Sequence, residues 1–193
     1  SKSSNIPRYD RLTLYDDNFI PKYSEWYYGP NYFLMNKIQL NNFSKTKYFD
    51  AFRLIISHQK VKESRHDRKF KNDYLNNRNE NVSVTAINFD FDKKNKKSET
   101  FYGFESIYNN VNSEANRINI VNNSKENIST RYPDNGTNFY SNSIYISNKR
   151  KLGQIFTNIG LRASNNRLKS ILSNEFYDFP YNEIDLNTSS FSG

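Results

Sequence analysis

The side chains best suited to chemistry gather in one short run. "SRHDRKF", from Ser64 to Phe70, sets Arg65, His66, Asp67 and Arg68 side by side. A loop tip of this kind could contact a ligand or a metal. The plainer reading is a solvated turn whose Arg–Asp pairs contribute little individually. A metal needs several ligands at suitable spacing. His58 and His66 are the only histidines and cysteine is absent, so no metal site is expected. Asp90 and Glu105 could form an acid–base pair, but no nucleophile or base accompanies them. No GxSxG, HExxH, phosphate-loop or dinucleotide fingerprint occurs. The chain reads as a protein without catalytic residues or cofactor.

Two further stretches could recognise a ligand. "EWYYGPNYF" carries Trp26, Tyr27, Tyr28 and Tyr32, whose rings could stack on a ligand or form an aromatic border at a membrane surface. "TRYPDNG" places Arg131 and Tyr132 before a strong turn signal, Pro133 to Gly136. The ligand-contacting candidates, expected on loops, are therefore Trp26, Arg65, Arg68, Arg131 and Tyr132.

The elements that must position these residues alternate apolar and polar side chains, the period of a strand. In "NYFLMNKIQLNNF", Tyr32, Leu34, Ile38 and Leu40 share one face, with Lys37 on the other. Phe52, Leu54 and Ile56 oppose Arg53. Ile87, Phe89 and Phe91 oppose Asp90; Tyr102, Phe104 and Tyr108 oppose Glu105. Tyr140, Ile144 and Ile146 align in a fifth run, and Ile155, Ile159 and Leu161 oppose Arg162 in a sixth. Six strands in three hairpins are predicted. Lysine-rich turns lie within the hairpins, long polar loops lie between them, and no strand follows the sixth. Lys37, Arg53, Asp90, Glu105 and Arg162 take the parity opposite to the apolar residues.

Only 35% of the 193 residues are hydrophobic, yet 16% are aromatic and the net charge is +8. The aromatic content argues against disorder. No apolar run approaches the roughly 20 residues of a spanning helix. A strand in a water-filled membrane barrel presents only every second residue to lipid, so a mean hydropathy of −0.93 is compatible with one. Short turns at one end and long loops at the other are likewise a barrel feature. The chain opens on Ser1 and its only methionine is Met35, which reads as a piece of a longer protein.

"IPRYDRLT", "SEWYYGPNYF", "ESRHDRKF", "STRYPDNGTNFYS" and "NIGLR", in that order, resemble the barrel of TonB-dependent outer-membrane receptors of the ligand-gated channel type. The resemblance covers nearly the whole chain. It implies residues 1–193 as part of an up-and-down antiparallel transmembrane β-barrel, all-β, with the plug and other strands lying outside this sequence. It also implies a bacterial outer-membrane location, contact with lipid, and import of a scarce small-molecule or glycan ligand such as an iron chelate or cobalamin. Energy would come from the TonB complex through the missing N-terminal part. On this reading Lys37, Arg53, Asp90, Glu105 and Arg162 face the lumen. Two alternatives stand beside it. A soluble basic β-protein binding nucleic acid would line one face with cations and stacking rings, whereas the lysines here favour turns. An outer-membrane adhesin would share the strand pattern and lack a plug.

Overall fold

The computed structural model describes residues 1–173 and 175–193, and it is nearly all strand. The strands are β1 (Ile6–Pro7), β2 (Tyr23–Tyr28), β3 (Tyr32–Asn42), β4 (Ala51–Lys69), β5 (Tyr74–Asn95), β6 (Ser98–Asn119), β7 (Lys125–Asn127), β8 (Thr137–Leu152), β9 (Ile155–Ile171) and β10 (Glu183–Ser192). One turn of helix, α1 (Tyr9–Leu12), lies near the start. All ten strands join one antiparallel sheet in the order β1-β2-β4-β5-β6-β8-β9-β10, with β3 also on β4 and β7 also on β6. The long strands follow one another up and down the sheet, which is open at both edges. Among the described residues no helix is long and apolar enough to cross a membrane.

Two of the strands are broken lengths of a longer one. β2 pairs with the far half of β4 and β3 with the near half. Gly29 (φ +91°) and Pro30 interrupt them, since proline offers no N–H to the ladder. β7 and β8 divide the length of β6 in the same way. Between them Gly136 closes the expected turn, its N–H donating to the Pro133 carbonyl at 3.2 Å with φ +90°.

Each of the six predicted strands is present, but the sheet has ten, and most of the stretch between the second and third is not loop. β4 continues to Lys69, a four-residue turn follows (70–73), and β5 begins at Tyr74. "SRHDRK" is therefore strand, and β6 likewise runs on to Asn119. The physical reason is that both faces are polar at this level, so alternation of hydrophobicity vanishes while the backbone ladder persists. Polar side chains cross-link the strands instead. Asn76 and Arg78 donate to Asp67 at 2.9 and 3.1 Å, and Asn77 donates to Asn116 at 3.3 Å. Lys149 to Lys151 lie on β8 rather than in a turn, which falls at Gly153 (φ +62°). A further strand follows the sixth run as well: β10 pairs with β9 over ten residues from Glu183 to Ser192.

The register separates two faces. The first carries Ile38, Leu40, Leu54, Ile56, Ile87, Phe89, Phe104, Ile144, Ile146, Ile159 and Leu161. Ile38 and Ile159 are the most exposed of these, at 71% and 69%. On the turn side the band ends in rings: Phe91 stacks on Tyr102 at 4.9 Å, and the Tyr102 hydroxyl donates to the Tyr48 carbonyl at 3.1 Å. On the far side Tyr108 and Tyr140 meet at 4.8 Å. Between those borders β4, β5, β6 and β8 carry no charged side chain on this face. Two polar residues inside the band satisfy each other, Ser106 donating to Asn142 at 2.8 Å.

The band runs obliquely across the strands. Ile38 pairs with Ile56 and Ile56 with Ile87, whereas Ile159 traces through Asn148 and Thr100 to Lys93, six residues further along β5. That slide accumulates over the five steps from β3 to β9. Leu40 and Leu161 trace to Phe89 and Phe91, a slide of two residues over the same steps. With a rise of about 3.3 Å per residue and strands about 4.8 Å apart, the strands lean between about 15° and about 40° from the normal to the band.

The second face is charged beneath this band. Further from the turns it turns apolar, with Phe33, Val61, Val82 and Val111 in one row. The sheet has almost no core of its own: among the described residues the only buried hydrophobic side chain is Ala115.

Candidate functional site

Lys37, Arg53, Asp90, Glu105 and Arg162 share the second face. Arg53, Asp90, Gly103, Tyr145 and Arg162 form one row across five strands. The Tyr145 hydroxyl donates to Asp90. Arg162 donates to Glu105 at 2.8 Å and its guanidinium lies 5.7 Å from the Tyr145 ring. Asn88 donates to Glu105 at 3.3 Å. Charge on this wall is thus largely compensated and cross-linked. Lys37 stands apart, between Ser57 on β4 and the free edge. Tyr145 was not among the residues singled out from the sequence, although its parity opposite Ile144 and Ile146 signals it.

A second cluster occupies the same face nearer the far end. Trp26 and Tyr28 meet edge to face at 5.0 Å. Two guanidinium groups clasp them: Arg8 lies 5.1 Å from the Trp26 centroid and 5.4 Å from that of Tyr28, and Arg65 lies 5.6 and 5.0 Å away. Arg8 also donates to the Tyr28 hydroxyl at 2.8 Å. Asp10 binds Arg8 through both oxygens and fixes its plane.

Beside Arg65 stand two carboxylates, Glu63 and Glu80, directly opposite each other on β4 and β5. Arg131, from the segment linking β7 and β8, lies 3.8 Å from Glu63 and 3.9 Å from Glu80. Glu80 is only 4% exposed. Burial pushes its carboxyl above the ordinary range; Glu63 adds to the rise and Arg131 opposes it. Both Glu80 oxygens, Arg65 Nε and Ser113 Oγ are buried without hydrogen-bond partners. Ser113 faces Glu80 in the register. Buried polar atoms ordinarily have a partner in protein or ordered water, so these four mark a place where the chain leaves hydrogen bonds incomplete.

Of the five ligand-contacting candidates, Trp26, Arg65 and Arg131 come together here. Trp26 and Arg65 do so from strands, not loops. Arg68 lies on the opposite face of β4, where it donates to Glu25 at 2.7 Å. Tyr27 also turns away and stacks on His66 at 4.5 Å. Tyr132 remains in a loop, where the Arg131 guanidinium lies 5.6 Å from its ring centroid, and with Arg131, Phe176 and Tyr177 it lines an adjoining cavity of about 230 Å³. Tyr28 was legible with Trp26 as a ring that could stack on a ligand, whereas Arg8, Glu63 and Glu80 had no sequence signal beyond their residue types. Arg8 reaches the site from a segment far from β4 in the chain, and Glu80 sits in an Asn-rich stretch that looks like loop.

No protein-family model matches the chain, and no curated protein matches it at a significant level. The geometry alone therefore carries the functional argument. Among the described residues no group of three or more acidic, histidine or cysteine side chains could hold a metal.

Proposed function

We propose that this chain is a section of the wall of an outer-membrane β-barrel, of the kind that forms the channel of TonB-dependent receptors. Its work is to bind a scarce ligand, an iron chelate, cobalamin or glycan, and to pass it inward with TonB-coupled energy, without chemistry on the ligand. The oblique apolar band carries this reading. An exposed apolar band marks a contact with protein or membrane, and the rings along its borders and its incline to the strands favour the membrane. Spanning barrels lean their strands by about 35–45° and ring an apolar belt with aromatic side chains, and the band here is bordered by rings and inclined to its strands by up to about 40°.

The opposite face suits a wet lumen. Arg162, Glu105, Asp90 and Tyr145 line it at the level of the band, and the Trp26–Arg65–Glu80 cluster lies above them where an incoming ligand would first meet the wall. Recognition would come from guanidinium groups held rigidly by rings, beside a carboxyl whose pKa burial raises. Insertion into lipid vesicles tests the reading. The chain should enter them and protect its band from proteolysis. A chain that remains in the aqueous phase and binds single-stranded nucleic acid in a salt-dependent manner would be the soluble alternative.

A further inference from the structure

The net charge is concentrated at one end of the strands. Residues 43–50, 92–99 and 148–157 make up the tight ends of the hairpins β3–β4, β5–β6 and β8–β9, and all three lie on the same rim of the sheet. Together they hold nine of the 28 lysines and arginines but only three of the 20 carboxylates, so six of the eight net positive charges sit there. Among the described residues only two of these cations make an ion pair, Lys93 with Asp50 at 2.9 Å and Lys94 with Glu99 at 3.4 Å. Lys45, Lys47, Lys96 and Lys97 are exposed, as are the three cations at 149–151.

Hydrogen bonds hold this rim in place. The Thr46 N–H donates to the Phe49 carbonyl at 2.7 Å. Lys93 Nζ donates to the Thr46 carbonyl at 2.6 Å, and the Lys94 N–H donates to Asp50 at 2.8 Å. Segment 43–50 is thereby fixed on the end of β5, with Lys45 and Lys47 beside the neighbouring turn. Few of the cations are aimed at lipid. In the register only Lys93 and Arg150 share the face of the band, and Lys93 is turned to Asp50. Lys94, Lys149 and Lys151 take the other face, and Lys96 and Lys97 form a turn. Successive hairpin ends lie two strands apart, about 10 Å, which is the length of one disaccharide. A polymer with a carboxylate on every disaccharide would meet one cationic cluster per repeat. Single-stranded nucleic acid carries a phosphate on every nucleotide and uses rings to stack its bases, whereas Phe49, Phe91 and Tyr102 here pack on one another.

We propose that this rim docks on a cell-wall polymer of disaccharide repeats whose peptide branches end in carboxylates. The inference rests on the outer-membrane reading above, since spanning barrels turn their short hairpin ends to the periplasm. It assigns Lys45 and Lys47, Lys96 and Lys97, and Lys149 to Lys151 as three successive carboxylate contacts.

Co-sedimentation of the full chain, in detergent, with purified peptidoglycan sacculi tests it. The chain should pellet with the sacculi and be released by about 0.5 M salt. Amidating the wall carboxylates should weaken binding roughly tenfold, and Lys45→Ala/Lys47→Ala/Lys96→Ala/Lys97→Ala should do the same. Lys60→Ala/Lys62→Ala, exposed on β4 away from this rim, should leave binding unchanged. Equal pelleting with native and amidated sacculi, or wild-type binding by the four-lysine variant, overturns the inference. So does equally effective competition by single-stranded DNA at the same concentration of charge, which would make the rim a cationic patch without preference for the wall. A wild-type chain that stays out of lipid vesicles overturns the outer-membrane reading as well. A chain that enters them but does not pellet with sacculi overturns only this inference.

Discussion

Tyr145 occupies the space that a side chain at Gly103 would need. A Cβ on Gly103 would fall 2.5 Å from the Tyr145 hydroxyl oxygen and 2.6 Å from the Phe89 carbonyl oxygen. The ring can lie over the neighbouring strand and reach Asp90 only because position 103 is bare. Gly103→Ala should therefore displace Tyr145 and cost about 1–3 kcal/mol of stability through overpacking. Urea unfolding in detergent checks this. Gly160→Ala provides the control, because its nearest neighbour, the Ser147 Cβ, would be 3.4 Å away.

Ile159 is 69% exposed on the band. Ile159→Arg should cost roughly 2–4 kcal/mol if this position meets the middle of a bilayer. Insertion yield into vesicles reads the effect. Asn158→Arg, one residue along and on the other face, should insert normally. Equal yields for the two variants would count against a lipid-facing band.

Glu80 links stability to pH. Its folded carboxyl holds its proton more tightly than the unfolded chain does, because burial penalises the charge. Its contribution is complete below the ordinary carboxyl range and is lost as pH rises through the raised folded value. Glu80→Gln keeps the shape and removes the charge. That variant should be more stable than the wild type near neutral pH and should lose the decline that begins above about pH 4.5. Denaturation midpoints from about pH 4 to about pH 8 measure both.

Arg65 and Trp26 should be energetically coupled. A guanidinium 5.6 Å from the indole centroid and part-shielded from water contributes about 0.5–1 kcal/mol. A double-mutant cycle with Arg65→Met and Trp26→Leu should return a coupling of that size. Replacing Arg68, which lies on the other face, should show no coupling to Trp26.

Much of the sheet was legible in the chain because one face of each central strand is apolar. Ile87, Phe89 and Phe91 against Asp90 give a period that only a strand explains, and Tyr102, Phe104 and Glu105 repeat it. The same signal fails between Val61 and Asn81, where both faces are polar and the buried side chains are Ser64, Asn77 and Glu80. There Arg65 pairs with Arg78 and Glu63 with Glu80 in the register, and the chain looks like a loop until its partners are known. β10 escaped notice for a related reason. "EIDLNTSSFS" alternates weakly, and its ten-residue pairing with β9 holds it in the sheet.

The sequence by itself determined the strand period, the parity that gathers Lys37, Arg53, Asp90, Glu105 and Arg162 on one face, and the aromatic-bordered apolar runs opposite them. These are local properties, fixed by two-residue spacing. Only the tertiary structure decided the register that makes the band oblique and draws Arg8 and Arg131 from distant segments onto Trp26, Arg65 and Glu80. It also decided that Arg68 would face away from them. Register depends on pairing between strands, and no single strand encodes how far its neighbour is displaced.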